Sequence, residues 1–187
     1  MAVLTHEELQ QFGFVSIGNN VRISNKASIH GAQNISIGND VRIDDFCVLS
    51  AGKGGITIGN NIHIAVYSSL IGKGSIVLED FSNISSRVAI YSSNDDYSGE
   101  FMTNPTVESI YTNVISDAIH IGKHVVIGSG SVILPGVNLD IGTVIGALSL
   151  VKSSSTPFTI LGGVPAKKIG VRSKNLLKIE KKIDENR

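Results

Sequence analysis

The 187-residue sequence has no tryptophan, one cysteine and four prolines, and aromatic residues make up 5% of it. The single cysteine, Cys47, excludes an internal disulfide framework and fits a reducing compartment. The formal net charge is zero, so the basic surplus typical of nucleic-acid-binding proteins is missing. No apolar run reaches the length of a membrane span, and the first residues carry no signal pattern. We therefore expect a cytoplasmic protein that neither binds nucleic acid nor inserts into a membrane.

The abundant aliphatic residues instead follow a six-residue period. From position 121 the chain reads IGKHVV IGSGSV ILPGVN LDIGTV IGALSL VKSSST, and each hexapeptide starts with an aliphatic residue. A small or β-branched residue follows four positions later. The same pattern runs through the first half, in blocks that begin IGNNV at 17, IGNDV at 37, IGNNI at 58 and LEDFS at 78. A period of six is neither the helical 3.6 nor the strand alternation of 2.

This period predicts an all-β fold in which three short strands and three tight turns make one triangular coil. Successive coils pair as parallel strands, so we expect a parallel β-helix, a prism of about six coils, over residues 17–171. Residues 1–16 are predicted to form an N-terminal helical cap, because Thr5 and Glu8 have the spacing of a capping box. Residues 172–187 are predicted to form an amphipathic C-terminal helix that closes the other end.

These repeats, an interruption after Ile90 and the segment GGVPAKKIG at 162–170 resemble the hexapeptide-repeat acyltransferases with a left-handed parallel β-helix. The sequence is similar to the galactoside/maltose-type sugar acetyltransferases and to the nucleotide-amino-sugar N-acetyltransferases. The resemblance implies a homotrimer with an active site in each cleft between neighbouring prisms. It also implies acetyl-CoA as co-substrate, bound along the C-terminal coils, and a small-molecule sugar as acceptor.

The interruption is an excursion loop over residues 94–118. A loop of this length in a compact domain is usually functional or disordered, and its aromatic residues argue against disorder. In the galactoside/maltose type, the turn that opens this loop carries a histidine that acts as general base on a sugar hydroxyl. Here the corresponding turn reads Asn94-Asp95-Asp96, and no histidine occurs between His63 and His120.

A sugar hydroxyl needs a positioned base, whereas an amine with a pKa of about 7.7–8.0 is partly unprotonated at neutral pH. An acidic pair could attract the ammonium form and take up the proton released on attack. We therefore interpret the chain as an acetyl-CoA-dependent N-acetyltransferase of a nucleotide-linked amino sugar for surface polysaccharide synthesis, with Asp95, Asp96 and Asn94 as catalytic residues. O-acetylation with Asp95 or Asp96 as base remains an alternative, and so does a non-catalytic trimeric β-helix scaffold.

Two further groups of residues are candidates for substrate binding. The donor needs cations for phosphate and open backbone for the pantetheine arm, which GGVPAKK supplies, and the resemblance adds positions on the last coils. The predicted CoA-binding residues are Ser129, Ala147, Lys152, Gly163, Ala166, Lys167, Lys168 and Arg172. The predicted acceptor-binding residues are Tyr97, Asn83, Ser85, Arg87 and His63.

The histidines raise the hypothesis of a zinc site, because the γ-type carbonic anhydrases share the prism and hold zinc with three histidines. Such a site requires three converging ligands and an open position. His120 and His124 are four positions apart, and the sequence pattern does not make their side chains converge. We therefore expect no metal.

Overall fold

The computed structural model, which describes residues 2–185, winds the chain into a left-handed parallel β-helix with three faces. Each face is one sheet, and its neighbouring strands come from successive coils. Six complete coils form, and two further strands extend the second sheet, which agrees with the predicted prism.

Two to five residues form each strand, and the corners between the strands are tight turns. Sheet 1 contains β1 (Ser16–Ile17), β4 (Ile35–Ile37), β7 (Ile56–Ile58), β10 (Ile76–Leu78), β15 (Ile119–Ile121) and β18 (Asn138–Leu139). Sheet 2 contains β2 (Arg22–Ile23), β5 (Arg42–Ile43), β8 (His63–Ile64), β11 (Asn83–Ile84), β16 (Val126–Ile127), β19 (Val144–Ile145), β21 (Thr159–Gly162) and β22 (Lys167–Val171). Sheet 3 contains β3 (Ser28–His30), β6 (Val48–Ala51), β9 (Ser69–Gly72), β12 (Ala89–Tyr91), β17 (Val132–Ile133) and β20 (Leu150–Val151).

The core is a set of vertical columns of aliphatic side chains, one column for each sheet. In sheet 2 the inward residue of every coil is an isoleucine, and each of these side chains is at most 1% exposed: Ile23, Ile43, Ile64, Ile84, Ile127 and Ile145. The residue four positions after an inward aliphatic residue of any sheet fills the next corner. Cys47, Val125 and Thr143 are such corner residues, and all three are fully buried. The six-residue period therefore describes the packing correctly.

We name the corners by the sheets they join: the first corner joins sheets 1 and 2, the second joins sheets 2 and 3, and the third leads from sheet 3 to the next coil.

The N-terminal helix α1 (His6–Gln11) covers the first coil and buries Leu9. Its predicted capping box is present, because Glu8 N–H donates to Thr5 Oγ1 and Thr5 N–H donates to Glu8 Oε2.

The C-terminal helix α2 (Leu176–Asp184) lies along the first corner and does not close the last coil as expected. Glu180 joins it to the prism by ion pairs with Lys123 and with His124, whose ring stacks on Phe81. The end of the prism is covered instead by the antiparallel pair β21 and β22. Within residues 2–185, neither α-helix has the length and hydropathy that crossing a bilayer requires.

The excursion leaves the prism at the third corner after β12 and returns at β15, which pairs directly with β10. Its two ends are tied together by the antiparallel strands β13 (Ser93–Asn94) and β14 (Ile115–Ser116). A short 3-10 helix, Ser109–Tyr111, lies inside it. The loop is thus an ordered flap whose base is a two-stranded ribbon, rather than a free tether.

Candidate functional site

A cleft of about 750 Å³ lies between the excursion loop and the third corner of the second, third and fourth coils. One wall is the stacked corner backbone, which includes Gly52 and Gly72, and the other wall is the loop. The lining residues are Ser50, Ala51, Gly52, Ile71, Gly72, Lys73, Ser93, Asn94, Asp95, Asn104, Pro105, Val107, Ser109, Thr112 and Val114.

Two of the three predicted catalytic residues line this cleft. Asn94 ends β13 and Asp95 follows it, so the ribbon at the base of the loop holds both of them. Asp95 is partly exposed. A partly exposed carboxylate in a largely uncharged cleft is suited to receive an ammonium group.

The third predicted catalytic residue, Asp96, has a different environment. It is 8% exposed and accepts hydrogen bonds from Ser98 N–H at 2.6 Å, from Ser98 Oγ at 2.5 Å and from Asn113 Nδ2 at 3.0 Å. The side-chain bond from Ser98, with those from Asn113 and the Ser98 backbone, holds the pKa of Asp96 below its ordinary value. Asp96 therefore ties the two limbs of the loop together as an ionised acceptor and is not among the cleft-lining residues.

The predicted acceptor residues His63 and Asn83 are neighbours on the outer face of sheet 2. His63 Nε2 lies 2.8 Å from Asp44 Oδ2, and Arg42 Nε donates to the other oxygen of Asp44 at 2.7 Å. Burial alone would raise the pKa of Asp44, but the hydrogen bonds from His63 and Arg42 outweigh it and lower the pKa. This cluster lies on a different face from the cleft.

Ser85 and Arg87 belong to the second corner, where a stack of aromatic and cationic side chains follows the prism axis. The rings of Phe46 and Tyr67 stack with centroids 5.0 Å apart, and the guanidinium of Arg87 lies 5.9 Å from the Tyr67 ring centroid. Tyr97 lies on the excursion loop and is 88% exposed. The structure thus does not bring Ser85 and Arg87 to Asp95 within one protomer.

Three predicted donor residues lie in register at the second corner of the last coils. Ser129, Ala147 and Gly163 each follow paired strands of sheet 2, and Gly163 has a left-handed φ of 102°. Ser129 accepts a bond from Leu148 N–H, and Gly163 N–H donates to Ser149 Oγ. The structure therefore brings these positions together as one exposed column of backbone.

The segment after Gly163 turns back along sheet 2 as β22, antiparallel to β21, and begins beside this column. Ala166 N–H donates to Leu150 O, and Lys167 and Lys168 are exposed beside it on β22. The two lysines thus supply cations next to the open backbone.

Two predicted donor residues lie elsewhere. Lys152 follows β20 on the far side of sheet 3, away from the second corner. Arg172 lies at the first corner, where Nη1 donates to His124 O at 2.6 Å and to Gly142 O at 3.3 Å. Burial lowers the pKa of Arg172, and its guanidinium serves to hold the start of the C-terminal segment against the prism.

Lys73 is a cleft residue that the sequence analysis did not select. The signal was available: Gly-Lys-Gly occurs at 52–54 and again at 72–74, each time at the third corner. Residues 2–185 contain no group of three or more His, Cys, Asp or Glu side chains placed to hold a metal ion.

Comparison with known proteins relates the chain to sugar acyltransferases, although no protein-family model matches it. It is 59% identical over 180 residues to the dTDP-4-amino-4,6-dideoxy-D-glucose acyltransferase of Escherichia coli, covering 96% of this chain and 94% of the relative. It is 31% identical over 150 residues to WbbJ of Escherichia coli K12, named as a lipopolysaccharide biosynthesis O-acetyl transferase, covering 78% and 72%.

Among solved structures, the chain matches AntD, an N-acyltransferase from Bacillus cereus, with a TM-score of 0.95 and 43% identity over the whole of both chains. AntD has been solved with dTDP and coenzyme A and with 3-hydroxybutyryl-CoA. Its variants replace one aspartate and one serine that lie ten positions apart. In this chain Ser85 and Asp95 have that separation, as do Ser86 and Asp96, and Asp95 is the aspartate that lines the cleft.

The role of Asp96 leads to a prediction for the order of the loop. Asp96→Ala removes the acceptor for Ser98 and Asn113, so amide hydrogen exchange in residues 97–114 should rise while that of the coils stays unchanged. Asp96→Asn, which keeps one acceptor oxygen, should show a smaller rise. Because the pKa of Asp96 is lowered, wild-type protection should persist as pH falls to the ordinary carboxyl pKa and be lost below it. Unchanged exchange in Asp96→Ala would contradict this role.

Proposed function

Because the chain belongs to the hexapeptide-repeat sugar acyltransferases, we propose that it acetylates the amine of a dTDP-linked 4-amino-4,6-dideoxyhexose. The observation that supports this choice of acceptor is the sequence identity of 59%, over 96% of the chain, to an enzyme named for dTDP-4-amino-4,6-dideoxy-D-glucose. Acetyl-CoA is the proposed donor. The amide product would serve surface polysaccharide synthesis, which the name of WbbJ also supports. The cytoplasmic location expected from the sequence stays a prediction.

The reaction requires little of the protein beyond positioning. The amine nitrogen attacks the thioester carbonyl carbon, the carbon–sulfur bond breaks, and the proton that the amine releases passes by way of Asp95 to the departing CoA thiolate. An amine with a pKa of about 7.7–8.0 supplies a substantial free-base fraction at neutral pH, so no strong base is needed. In this proposal Asp95 attracts and orients the ammonium group and takes up the proton, while Asn94 holds the sugar beside it.

The environment of Asp96 favours an amine over a hydroxyl acceptor. O-acetylation by an acidic pair would require one carboxyl group to raise the pKa of the other, since an ordinary carboxylate is a weak base at pH 7. The pKa of Asp96 is instead lowered by Ser98 and Asn113, and its oxygens are occupied by these bonds. Asp96 is therefore assigned here to loop structure rather than to proton transfer.

The donor is proposed to lie along the second corner of the C-terminal coils. The column formed by Ser129, Ala147 and Gly163 offers backbone groups to the pantetheine arm, and Lys167 and Lys168 offer charge to its phosphates. The CoA complexes of AntD support a donor site of this kind in a chain of the same fold and length.

The positions of Ser85 and Asp95 support an active site that two copies of the chain share. Ser85 lies at the second corner and Asp95 beyond the third, with the whole width of sheet 3 between them. The three residues of β12 alone span about 10 Å, and the turn residues on both sides add to this, so the two side chains lie farther apart than one hydrogen-bonded site can bridge. If the substituted serine and aspartate of AntD serve one reaction centre, the second corner of one prism must face the cleft of its neighbour.

We propose that the assembly is the homotrimer that the family resemblance implies. The excursion loop exposes a set of large apolar side chains that a neighbouring prism would cover: Tyr97, Phe101, Met102, Ile110, Tyr111 and Ile115. Patches of this kind on a soluble chain mark interaction surfaces. A closed ring of three would give three equivalent clefts.

The acceptor is tested by thiol release from acetyl-CoA with dTDP-4-amino-4,6-dideoxyglucose and with its 4-hydroxy counterpart. We expect turnover of the amine alone, with kcat/KM rising between about pH 6 and 8 as the ammonium group loses its proton. Asp95→Asn should lower kcat/KM by about 10²–10⁴-fold. Asp96→Asn is the matched control and should retain most of the activity.

Turnover of the hydroxyl compound would contradict N-acylation and restore the O-acetyltransferase alternative. Measurable CoA binding without turnover of either compound would contradict the proposed sugar. Absence of CoA binding would contradict the whole proposal and favour a scaffold.

The shared site is tested by co-expression of two inactive variants, Asp95→Asn and Ser85→Ala, each with its own affinity tag. If each cleft takes Asp95 from one subunit and Ser85 from the next, random mixing leaves about a quarter of the clefts intact. Doubly tagged trimers exclude the inactive homotrimers and contain one intact cleft of three, so they should regain about a third of wild-type activity. No recovery would mean that both residues act within one subunit, and full activity of Ser85→Ala alone would mean that Ser85 has no part in the site.

A further inference from the structure

The cleft beside Asp95 has a simple charge pattern. Among the cleft-lining residues within the described 2–185, Lys73 is the one cation and Asp95 the one carboxylate. The remaining lining groups are amides, hydroxyls, backbone and small apolar side chains. A ligand that fills this space therefore meets one positive and one negative side chain.

Lys73 is held close to the ribbon that carries Asp95. It follows β9 in the third coil, and Lys73 N–H donates to Ser93 Oγ at 3.4 Å in the coil above. Asp95 lies two residues beyond Ser93. The two charged residues thus come from neighbouring layers of the prism, which are about 4.8 Å apart.

The Lys73 side chain is exposed, and over residues 2–185 its ammonium group has no ion-pair partner. The nearby wall is bare backbone, because a Cβ at Gly52 would lie 2.8 Å from Gly72 O. Only glycine fits where these turns stack, so Gly52 adds no side chain to this wall beside Lys73.

We propose that Lys73 binds the diphosphate of the nucleotide sugar and, with Asp95, fixes the direction in which the acceptor enters the cleft. This inference rests on the proposed function. In a 4-amino-4,6-dideoxyhexose the amine at C4 lies across the ring from C1, which carries the diphosphate. The ammonium group and the diphosphate are therefore one ring width apart, comparable with the separation of a carboxylate and a cation in adjacent layers.

The opposite orientation is unfavourable for both ends of the ligand. It would place the ammonium group beside Lys73 and the diphosphate beside Asp95, and each of these contacts is repulsive. The charge pattern therefore selects the amine, rather than the nucleotide, for the end of the cleft that contains Asp95. Lys73 acts as a binding residue that positions the amine at a distance.

The test compares Lys73→Met with Lys53→Met by calorimetric titration of dTDP. Lys53 occupies the equivalent turn one coil below, is exposed and does not line the cleft, which makes it a matched control. We expect the Kd for dTDP to rise about 10–100-fold in Lys73→Met and to stay at the wild-type value in Lys53→Met. The Kd for CoA should stay unchanged in both variants, and thymidine should bind wild type and Lys73→Met equally.

An unchanged Kd for dTDP in Lys73→Met would overturn the inference, and so would a loss confined to CoA, which would assign Lys73 to the donor. These results are separable from failure of the proposed function. If the wild-type protein acetylates the dTDP-linked amine while Lys73→Met binds dTDP normally, the inference alone is wrong. If the wild-type protein shows no such turnover, the proposed function is wrong.

Discussion

Each coil of this protein must lie about 4.8 Å from the next, and each coil must close its triangle within a fixed number of residues. This stacking constraint explains why the inward positions of sheet 2 are isoleucine in coil after coil and why the corners contain small residues. It also explains glycines such as Gly128, where a Cβ would lie 2.5 Å from Ala147 N. The inward residues are therefore committed to packing, and the chemistry must come from the corners, the outer faces and the departures from the repeat.

The main departure is the excursion at the third corner. The two-stranded ribbon β13/β14 ties its base to the prism, and Asp96 ties its limbs to each other. Together they turn a flat corner into one wall of a cleft and present Asp95 on that wall. The proposed donor column on the second corner is built differently, from regular coils whose backbone stays open. A rigid prism can hold two substrates in a fixed relation when two such surfaces of neighbouring copies face each other.

The repeat could be predicted from the sequence because the six-residue period of aliphatic side chains follows directly from their inward packing. In this fold each coil packs only against its neighbours along the stack. The turn Asn94-Asp95-Asp96 was also readable, but the different roles of its two aspartates were not. They depend on which way a non-repeating loop folds back, and on Asn113, which lies far along the chain from them. Arg172 was predicted from its charge to bind a phosphate of CoA. In the structure its guanidinium instead donates hydrogen bonds to backbone carbonyls at the first corner. Lys73 could have been found from the repeated Gly-Lys-Gly turn, but only the loop shows which of the two lysines lines a cleft.

We propose that an amine held at Asp95 of one prism meets a thioester held along the second corner of another. A crystal structure of the protein with dTDP-4-amino-4,6-dideoxyglucose and CoA tests this arrangement most directly. We expect the sugar amine to lie within hydrogen-bond distance of Asp95 of one protomer, and we expect its neighbour to hold the CoA sulfur on the column of Ser129, Ala147 and Gly163. A complex in which one protomer alone holds both ligands, or in which the amine lies away from Asp95, would contradict it.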